Sequence, residues 1–159
     1  MSGLVGHSAY GKSGLAGALP AFEAKSTNSQ TNMNNNTTHT FDHNIEWIQG
    51  AVTWSSNIIT THLTGRYYFF WNIYLLDLDS ASNTGTSITL NTSNRSYENW
   101  IFPQRFDSNG HWTTGYSCIA DMDAGDTAKV TFYLANGHGN SDVHGDSRWG
   151  GHYLGPRYV

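Results

Sequence analysis

Residues 63–76 read LTGRYYFFWNIYLL, and this stretch decides the fold. It holds six aromatic and four aliphatic residues among fourteen. Aromatic and β-branched side chains suit a pleated, half-buried surface, so the stretch predicts a strand. Because successive side chains of a strand point to opposite faces, one face carries Tyr67, Phe69, Trp71, Ile73 and Leu75. The other face carries Tyr68, Phe70, Asn72, Tyr74 and Leu76.

Both faces of this strand are apolar. A sheet with one solvated face would alternate apolar and polar residues, whereas here Asn72 is the one polar member of the second face. Two arrangements bury both faces: the second face packs against another subunit, or the strand is wholly buried inside one chain. The first arrangement is simpler in a small all-β domain, and it makes Tyr68, Phe70 and Tyr74 the predicted subunit interface.

The composition indicates one all-β domain. The chain has 159 residues and a mass of 17.6 kDa, which allows a single domain with a hydrophobic core. Only 13% of the residues are charged, and Asn, Thr, Ser and Gly, all weak helix formers, are abundant. A net charge of −4 without any basic run disfavours nucleic acid as a partner. No apolar run approaches the roughly 20 residues of a membrane span, and the lone Cys118 predicts a core thiol.

Residues 1–19 predict an extended arm. Glycines recur through MSGLVGHSAYGKSGLAGAL between isolated apolar residues, which disfavours a helix and leaves too little apolar surface for a core. Residues 6–13, GHSAYGKS, match the phosphate-binding pattern G-x-x-x-x-G-K-[ST]. That motif works only between a buried strand and a helix, but five residues precede it and Gly14, Gly17 and Pro20 follow it. We therefore expect no nucleotide binding.

The rest of the chain predicts short strands separated by polar turns. Strand-like segments are expected at 20–25, 40–41, 45–48, 58–59, 87–91, 99–102, 111–122, 127–135 and 149–154. Residues 26–38 and 136–147 are almost wholly polar and predict two long loops. Short strands with turns at fairly even intervals indicate a sandwich or a barrel.

Four landmarks in the same order resemble the C1q-like domain, the trimeric jelly roll shared with the tumour necrosis factor superfamily. They are the motifs Pro-Ala-Phe-x-Ala, Gly-x-Tyr-x-Phe, a Gly-Asp turn before an apolar strand, and an aromatic-x-Gly ending. The residues that match are Pro20, Ala21, Phe22, Ala24, Gly65, Tyr67, Phe69, Gly125, Asp126, Trp149 and Gly151. The resemblance covers about 20–155, although an apolar residue is expected where His152 stands. It implies an antiparallel jelly-roll sandwich at 20–159 that forms a homotrimer, with 1–19 as its arm.

The arm resembles the beginning of small virion proteins of tailed bacteriophages, through MSGLVG followed by GKSG. No signal-peptide pattern is visible. The resemblance implies a non-enzymatic structural protein of the virion surface, a trimeric head decoration (cement) protein that contacts other virion proteins, above all the major capsid protein. Its particle-docking residues would be the apolar residues of the arm, Leu4, Val5, Leu15 and Leu19. The alternative is the receptor-binding head of a tail fibre or appendage, which would recognise cell-surface carbohydrate.

No catalytic constellation is apparent, and no cofactor or metal is expected. The eight histidines are scattered, and no nucleophile motif appears. His138 and His144 share a loop with Asp142 and Asp146, but zinc sites show tighter pairing. A solvated loop is therefore the favoured interpretation.

Two further binding interpretations remain open. Asp121, Asp123 and Asp126 could supply oxygen ligands for calcium, although a turn rich in Asp is more often simply a turn. Tryptophans exposed beside polar loops could stack on a sugar ring, although most tryptophans in such a chain belong to the core. The candidates are Trp100, Trp112 and Trp149.

Overall fold

The computed structural model describes residues 19–33, 36–78, 85–105, 110–136 and 141–157. In chain order the strands are β1 (Ala21–Ser26), β2 (Gln30–Met33), β3 (Thr38–Thr40), β4 (His43–Gln49), β5 (Val52–Ser55), β6 (Ile58–Thr61), β7 (Gly65–Leu78), β8 (Gly85–Thr92), β9 (Ser96–Ile101), β10 (Gly110–Met122), β11 (Thr127–Ala135), β12 (Ser141–Val143) and β13 (Arg148–Gly155). A short 3₁₀ helix spans Pro103–Arg105. Within these ranges, no helix is long and apolar enough to cross a membrane.

The strands form two antiparallel sheets. Sheet one has the order β2-β12-β7-β13-β1-β4, with β10 paired to β7 along its other edge. Sheet two has the order β5-β6-β11-β8-β9, with β3 also paired to β11. Neighbouring strands are mostly distant in sequence; for example, β13 lies between β1 and β7. These features confirm the predicted all-β antiparallel sandwich.

Strand β7 places its odd-numbered residues in the core. Those between 67 and 75 are each at most 1% exposed. Its even-numbered residues lie on the outside of sheet one, where Asn72 is exposed and Tyr68, Phe70, Tyr74 and Leu76 are half-buried. The arrangement in which one chain wholly buries this strand is therefore excluded.

Sheet two supplies the other half of the core. Ile88 and Leu90 of β8 and Val130, Phe132 and Leu134 of β11 are all fully or almost fully buried. They alternate with polar residues on the outside of the same strands, as expected for a sheet with one solvated face. The core thus fills the space between the two sheets.

Two segments expected to be long loops contain strands. Strands β2 and β12 lie within 26–38 and 136–147 and pair with each other. Strand β12 also pairs with the end of β7, where Val143 lies opposite Leu75 and both are fully buried. The local sequence is polar and gave no strand signal. These two strands form because distant segments of the chain pair with them.

Candidate oligomerisation interface

The outer face of sheet one is the side that points away from the core. Register places Trp47, Glu23, Gly150, Phe70 and Ser117 in one row across strands β4, β1, β13, β7 and β10. The next row holds Ala21, His152, Tyr68 and Ile119. Because directly paired residues point to the same side of a sheet, side chains from five strands form this one continuous surface.

Phe70 lies over a strand that has no side chain beneath it. A Cβ added at Gly150 would lie 2.7 Å from the Phe22 carbonyl oxygen and 2.8 Å from the Phe70 ring. Glycine therefore lets the ring of Phe70 pack directly on the backbone of β13. The Tyr68 ring lies beside it, with 6.4 Å between the ring centroids. The two rings form the centre of the outer face.

His152 belongs to this outer face. Its ring centroid lies 5.3 Å from that of Tyr68, and the residue is exposed. The core-facing neighbour is Gly151, where a Cβ would lie only 2.6 Å from the Phe69 ring. The departure from the C1q-like pattern at 152 therefore changes the outer surface and leaves the core intact.

Large apolar side chains surround the aromatic centre. Ile119 is 57% exposed, Leu154 is 49% exposed and Trp47 is 47% exposed. Ile119 and Leu154 line a shallow groove of about 280 Å³, together with Arg66 and Pro156. Scattered exposed apolar residues are normal in proteins, but a contiguous apolar patch marks an interaction surface. Sequence reasoning missed these three residues, since only strand register brings them beside Tyr68 and Phe70.

The charged groups of the outer face are paired with one another. Arg148 donates to Glu23 over 2.7 Å, and the Trp47 indole N–H donates to the second oxygen of that carboxylate over 3.2 Å. Hydrogen bonding to Arg148 lowers the pKa of Glu23. Arg66 forms a second pair with Asp121 at 3.3 Å. Burying a charge that already has a partner costs less free energy than burying an isolated charge. This face can therefore be buried more easily than one with isolated charges.

Tyr74 lies at the other end of the same face. Its ring centroid lies 4.8 Å from that of His144, and its hydroxyl lies 3.3 Å from Nδ1 of His111. Tyr68, Phe70 and Tyr74, the predicted interface residues, therefore share one face, and none of them lies in the core.

The residues of the C1q-like motifs occupy internal positions or a turn. Phe22, Tyr67, Phe69 and Trp149 are at most 2% exposed, and the rings of Phe22 and Trp149 meet edge to face with 4.8 Å between their centroids. Burial raises the pKa of Tyr67 to about 12, and its hydroxyl donates to the Leu63 carbonyl. Three glycines belong to the set: Gly65 packs beneath the Tyr153 ring, Gly151 packs against the Phe69 ring, and Gly125 turns the chain between β10 and β11 at φ +98°.

Most of the arm lies outside the described residues, including Leu4, Val5, Leu15 and the phosphate-loop-like residues 6–13. Leu19 is described, and its carbonyl accepts a hydrogen bond from the Gln49 amide over 3.3 Å. The carbonyl of Pro20 accepts another from the Tyr153 N–H over 2.8 Å. These hydrogen bonds attach the chain to sheet one from Leu19 onward. The role of the arm stays a prediction.

The Asp-rich turn uses its carboxylates within the protein. Asp126 accepts hydrogen bonds from the Asp123 N–H and from the Asn94 amide, each over 2.7 Å. Asp123 pairs with Arg157, and Asp121 is held by Arg66. Among the described residues, no group of three or more His, Cys, Asp or Glu is arranged to hold a metal ion.

The loop carboxylates and histidines also contact their neighbours. His138 lies outside the described residues. His144 Nδ1 accepts a hydrogen bond from the Asp146 N–H, and the Asp146 carboxylate pairs with Lys25 at 3.0 Å. Asp142 accepts from the Asn32 N–H over 2.7 Å. These contacts hold β2, β12 and β1 together.

The tryptophans named as sugar-stacking candidates lie in different environments. Trp149 is fully buried, so its ring cannot reach a ligand, and that interpretation was wrong. Trp112 is half-buried and packs against the core. Trp100 is 42% exposed and lies on the outer face of sheet two.

The comparisons with known proteins bear on this architecture. No family model and no curated protein matches the chain. A crystal structure of murine APRIL at pH 5.0 matches with a TM-score of 0.64 and 11% identity, over 86% of this chain and 99% of that one. The globular domain of zebrafish complement 1qA protein matches with a TM-score of 0.61 and 13% identity, over 87% and 99%.

The chain has the C1q/TNF-like jelly-roll fold. The structure of Eiger TNF from S. frugiperda, with a TM-score of 0.61 and 14% identity over 89% of this chain and 95% of that one, agrees with this assignment. Identities this low establish the fold alone. The predicted resemblance is therefore confirmed as a C1q/TNF-like fold.

Proposed function

We propose that this protein is a homotrimeric, non-enzymatic structural protein of a tailed-bacteriophage virion, where it decorates the head. One observation carries the self-association: the outer face of sheet one is aromatic at its centre and apolar around it, and its charges are already paired. In a trimer, this face of each subunit packs against its neighbours, which removes Tyr68, Phe70 and Ile119 from water.

The energetic argument for the trimer rests on the exposed apolar side chains. Burying an aliphatic or aromatic side chain completely is worth about 1.5–3 kcal/mol, and Ile119, Leu154 and Trp47 each still expose about half of their surface. Association would recover about half of that value for each residue in each subunit. The gain is repeated three times by symmetry.

The decoration role rests on the resemblance of the arm to virion proteins and on the placement of the body. Residues 1–18 precede a body that begins at Leu19, on the sheet that carries the interface. The three arms of one trimer would bind to the particle at the same time, so their combined affinity would exceed that of one arm by orders of magnitude. In this proposal the apolar residues Leu4, Val5 and Leu15 contact the major capsid protein.

The trimer is tested by light scattering on the purified protein. We expect a mass about three times the 17.6 kDa of the chain. Tyr68→Glu should give folded monomers, because an unpaired charge in a dry interface costs about 3–5 kcal/mol per site. Ser55→Glu, at an exposed position of sheet two, is the matched control and should stay trimeric. A monomeric native protein would refute the proposal.

The docking role is tested with particles that lack the native protein. A variant without residues 1–18 should fold and form trimers, because the buried residues of the described body begin at Pro20. It should bind particles far more weakly, as counted from copies seen by cryo-electron microscopy. A full-length variant with Leu4, Val5 and Leu15 replaced by serine controls for arm length and should also bind weakly. Full occupancy by the truncated variant would show that the body docks without the arm, and full occupancy by the serine variant would show that these three apolar side chains do not carry the docking.

The receptor-binding head of a tail fibre remains the second candidate. The position of the protein on native virions separates the two. Copies distributed over the head shell support decoration, and a few copies at the tail support receptor binding.

A further inference from the structure

The outer face of sheet two carries a groove whose floor is polar. Ser87, Thr89 and Asn91 of β8 lie beside Thr131 of β11, and these residues point away from the core. The groove has a volume of about 360 Å³, near the lower end of the roughly 300–1,000 Å³ of small-molecule sites. It therefore has room for a ligand of one or two small rings.

Hydrogen bonds fix the orientation of the groove's polar groups. The Asn91 amide donates to the Thr131 hydroxyl over 2.8 Å, and its carbonyl accepts from the Ser96 hydroxyl over 2.9 Å. The Thr89 hydroxyl lies 3.4 Å from one oxygen of Glu98. Hydroxyl groups both donate and accept, and a carboxylate accepts at two oxygens. The groove thus offers several oriented partners for the hydroxyl groups of a ligand.

An aromatic wall stands beside this floor. Trp100 is 42% exposed. Its ring is stacked on that of Phe102 at 6.0 Å and meets Tyr133 edge to face at 6.5 Å. A Cβ at Gly85 would lie 2.8 Å from the Trp100 ring, so the ring packs closely against β8. A large apolar ring is therefore held in a fixed position with part of its surface open to the groove.

We propose that this outer groove binds a neutral or amino sugar. The C–H face of a pyranose would pack on Trp100 through dispersion contacts, while its hydroxyl groups exchange hydrogen bonds with Asn91, Thr131 and Glu98. Glu98 is the one charged side chain among the residues that line the groove. A carboxylated sugar would meet this negative charge inside the groove, whereas Lys129, the strand partner of Asn91, is not among the lining residues, so the groove favours uncharged sugars over acidic ones.

The groove and the oligomerisation interface lie on opposite faces of the sandwich. Sheet one would be covered in the trimer, whereas the outer face of sheet two would stay accessible. Each trimer would present three grooves, and multivalent binding would raise a weak affinity for one sugar by orders of magnitude on a glycan-coated surface. This inference goes beyond the decoration role and does not depend on the arm.

The test uses the purified full-length protein and saturation-transfer difference NMR. The probes are methyl glycosides of glucose, galactose, mannose and N-acetylglucosamine, with N-acetylneuraminic acid as the acidic comparison. We expect at least one of the first four to bind with a dissociation constant of about 1 mM and the acidic sugar not to bind. If none of the four binds, or if only the acidic sugar binds, the proposal is wrong.

Variants then locate the site. Trp100→Ala should weaken binding at least about tenfold, since tryptophan is among the residues whose truncation to alanine costs the most binding free energy. Trp54→Ala is the matched control, because Trp54 is 38% exposed on the edge strand β5 of the same sheet, and it should bind normally. Glu98→Gln keeps the shape of the side chain and should also weaken binding; it decides the question if Trp100→Ala fails to fold. Unchanged binding in folded Trp100→Ala would overturn the assignment.

The monomeric Tyr68→Glu variant separates this proposal from the trimer proposal. It should bind a single methyl glycoside as tightly as the native protein, because the groove is complete within one subunit. Its binding to a surface that displays many sugars should fall about a hundredfold. Loss of binding to the single glycoside in a folded monomer would contradict the placement of the site.

Discussion

Ile119→Ala gives the sharpest test of the interface. The substitution removes three carbon atoms, worth about 0.8 kcal/mol each when fully buried. Ile119 is 57% exposed in the isolated chain, so trimer formation would recover a little over half of that value. The loss is then about 1.4 kcal/mol per subunit and about 4 kcal/mol per trimer.

This loss can be measured as a shift in concentration. About 4 kcal/mol corresponds to roughly a thousandfold change in the trimer association constant, since 1.4 kcal/mol is tenfold. In a monomer–trimer equilibrium the concentration at half-dissociation varies inversely with the square root of that constant, so it should rise about thirtyfold. Sedimentation velocity or mass photometry over a dilution series measures the midpoint directly.

Ile48→Ala is the matched control for this experiment. Ile48 is 41% exposed and lies on the edge strand β4 of the same sheet, but it pairs with Phe22 and shares the core side of that sheet. The same truncation there should leave the dissociation midpoint unchanged. If Ile119→Ala shifts the midpoint less than about threefold while the protein stays folded, the interface does not include Ile119 and the reasoning from exposure is refuted.

Two further predictions concern the core and the backbone. His43 is 1% exposed, its Nε2 accepts a hydrogen bond from Trp54, and burial lowers its pKa, so the ring is neutral. The contribution of the neutral ring to the free energy of unfolding should be fully present above the ordinary histidine pKa of about 6.5. It should be lost as the pH falls through the lowered pKa of the native state. Urea unfolding at pH 7.5 and 5.5 measures this loss, and a His43→Gln variant with an equally steep pH dependence would assign it to another group. Gly150→Ala places a Cβ 2.7 Å from the Phe22 carbonyl oxygen and should destabilise the protein by about 1–3 kcal/mol. Gly115→Ala is the control, because its Cβ would lie 3.5 Å from its nearest contact, and it should not destabilise the protein. Equal melting temperatures for the two variants would show that the backbone relaxes freely at 150.

The sequence of residues 63–76 already contained the main architectural fact, a strand with two apolar faces. Its composition predicted the strand, and period-two alternation divided its residues correctly into two sets. The turn residues and short apolar segments predicted the all-β class. The motifs from Phe22 to Gly151 predicted the fold through their resemblance to C1q-like motifs. The structure gives the physical reason for their glycines: a Cβ at Gly65 or Gly151 would lie less than 3 Å from neighbouring atoms, and Gly125 has a positive φ.

Tertiary structure decided which of the two faces is the core. Both faces of β7 are aromatic, and only the packing of sheet one against sheet two buries Trp71 while leaving Tyr68 and Phe70 on the outside. Ile119 joins those rings because strand register aligns residues about fifty positions apart in the chain. No local pattern encodes such a register.

Tertiary structure also decided which tryptophans are available to a ligand. Trp100 and Trp149 were both candidates for stacking on a sugar, yet Trp149 fills the core behind Phe22 while Trp100 stands beside a polar floor on the opposite sheet. That floor combines Asn91 of β8 with Thr131 of β11, forty residues apart in sequence. Residue type and alternation are local properties and can be read from the chain, whereas a binding surface depends on which strands pair, and pairing is settled by the packing of the whole core.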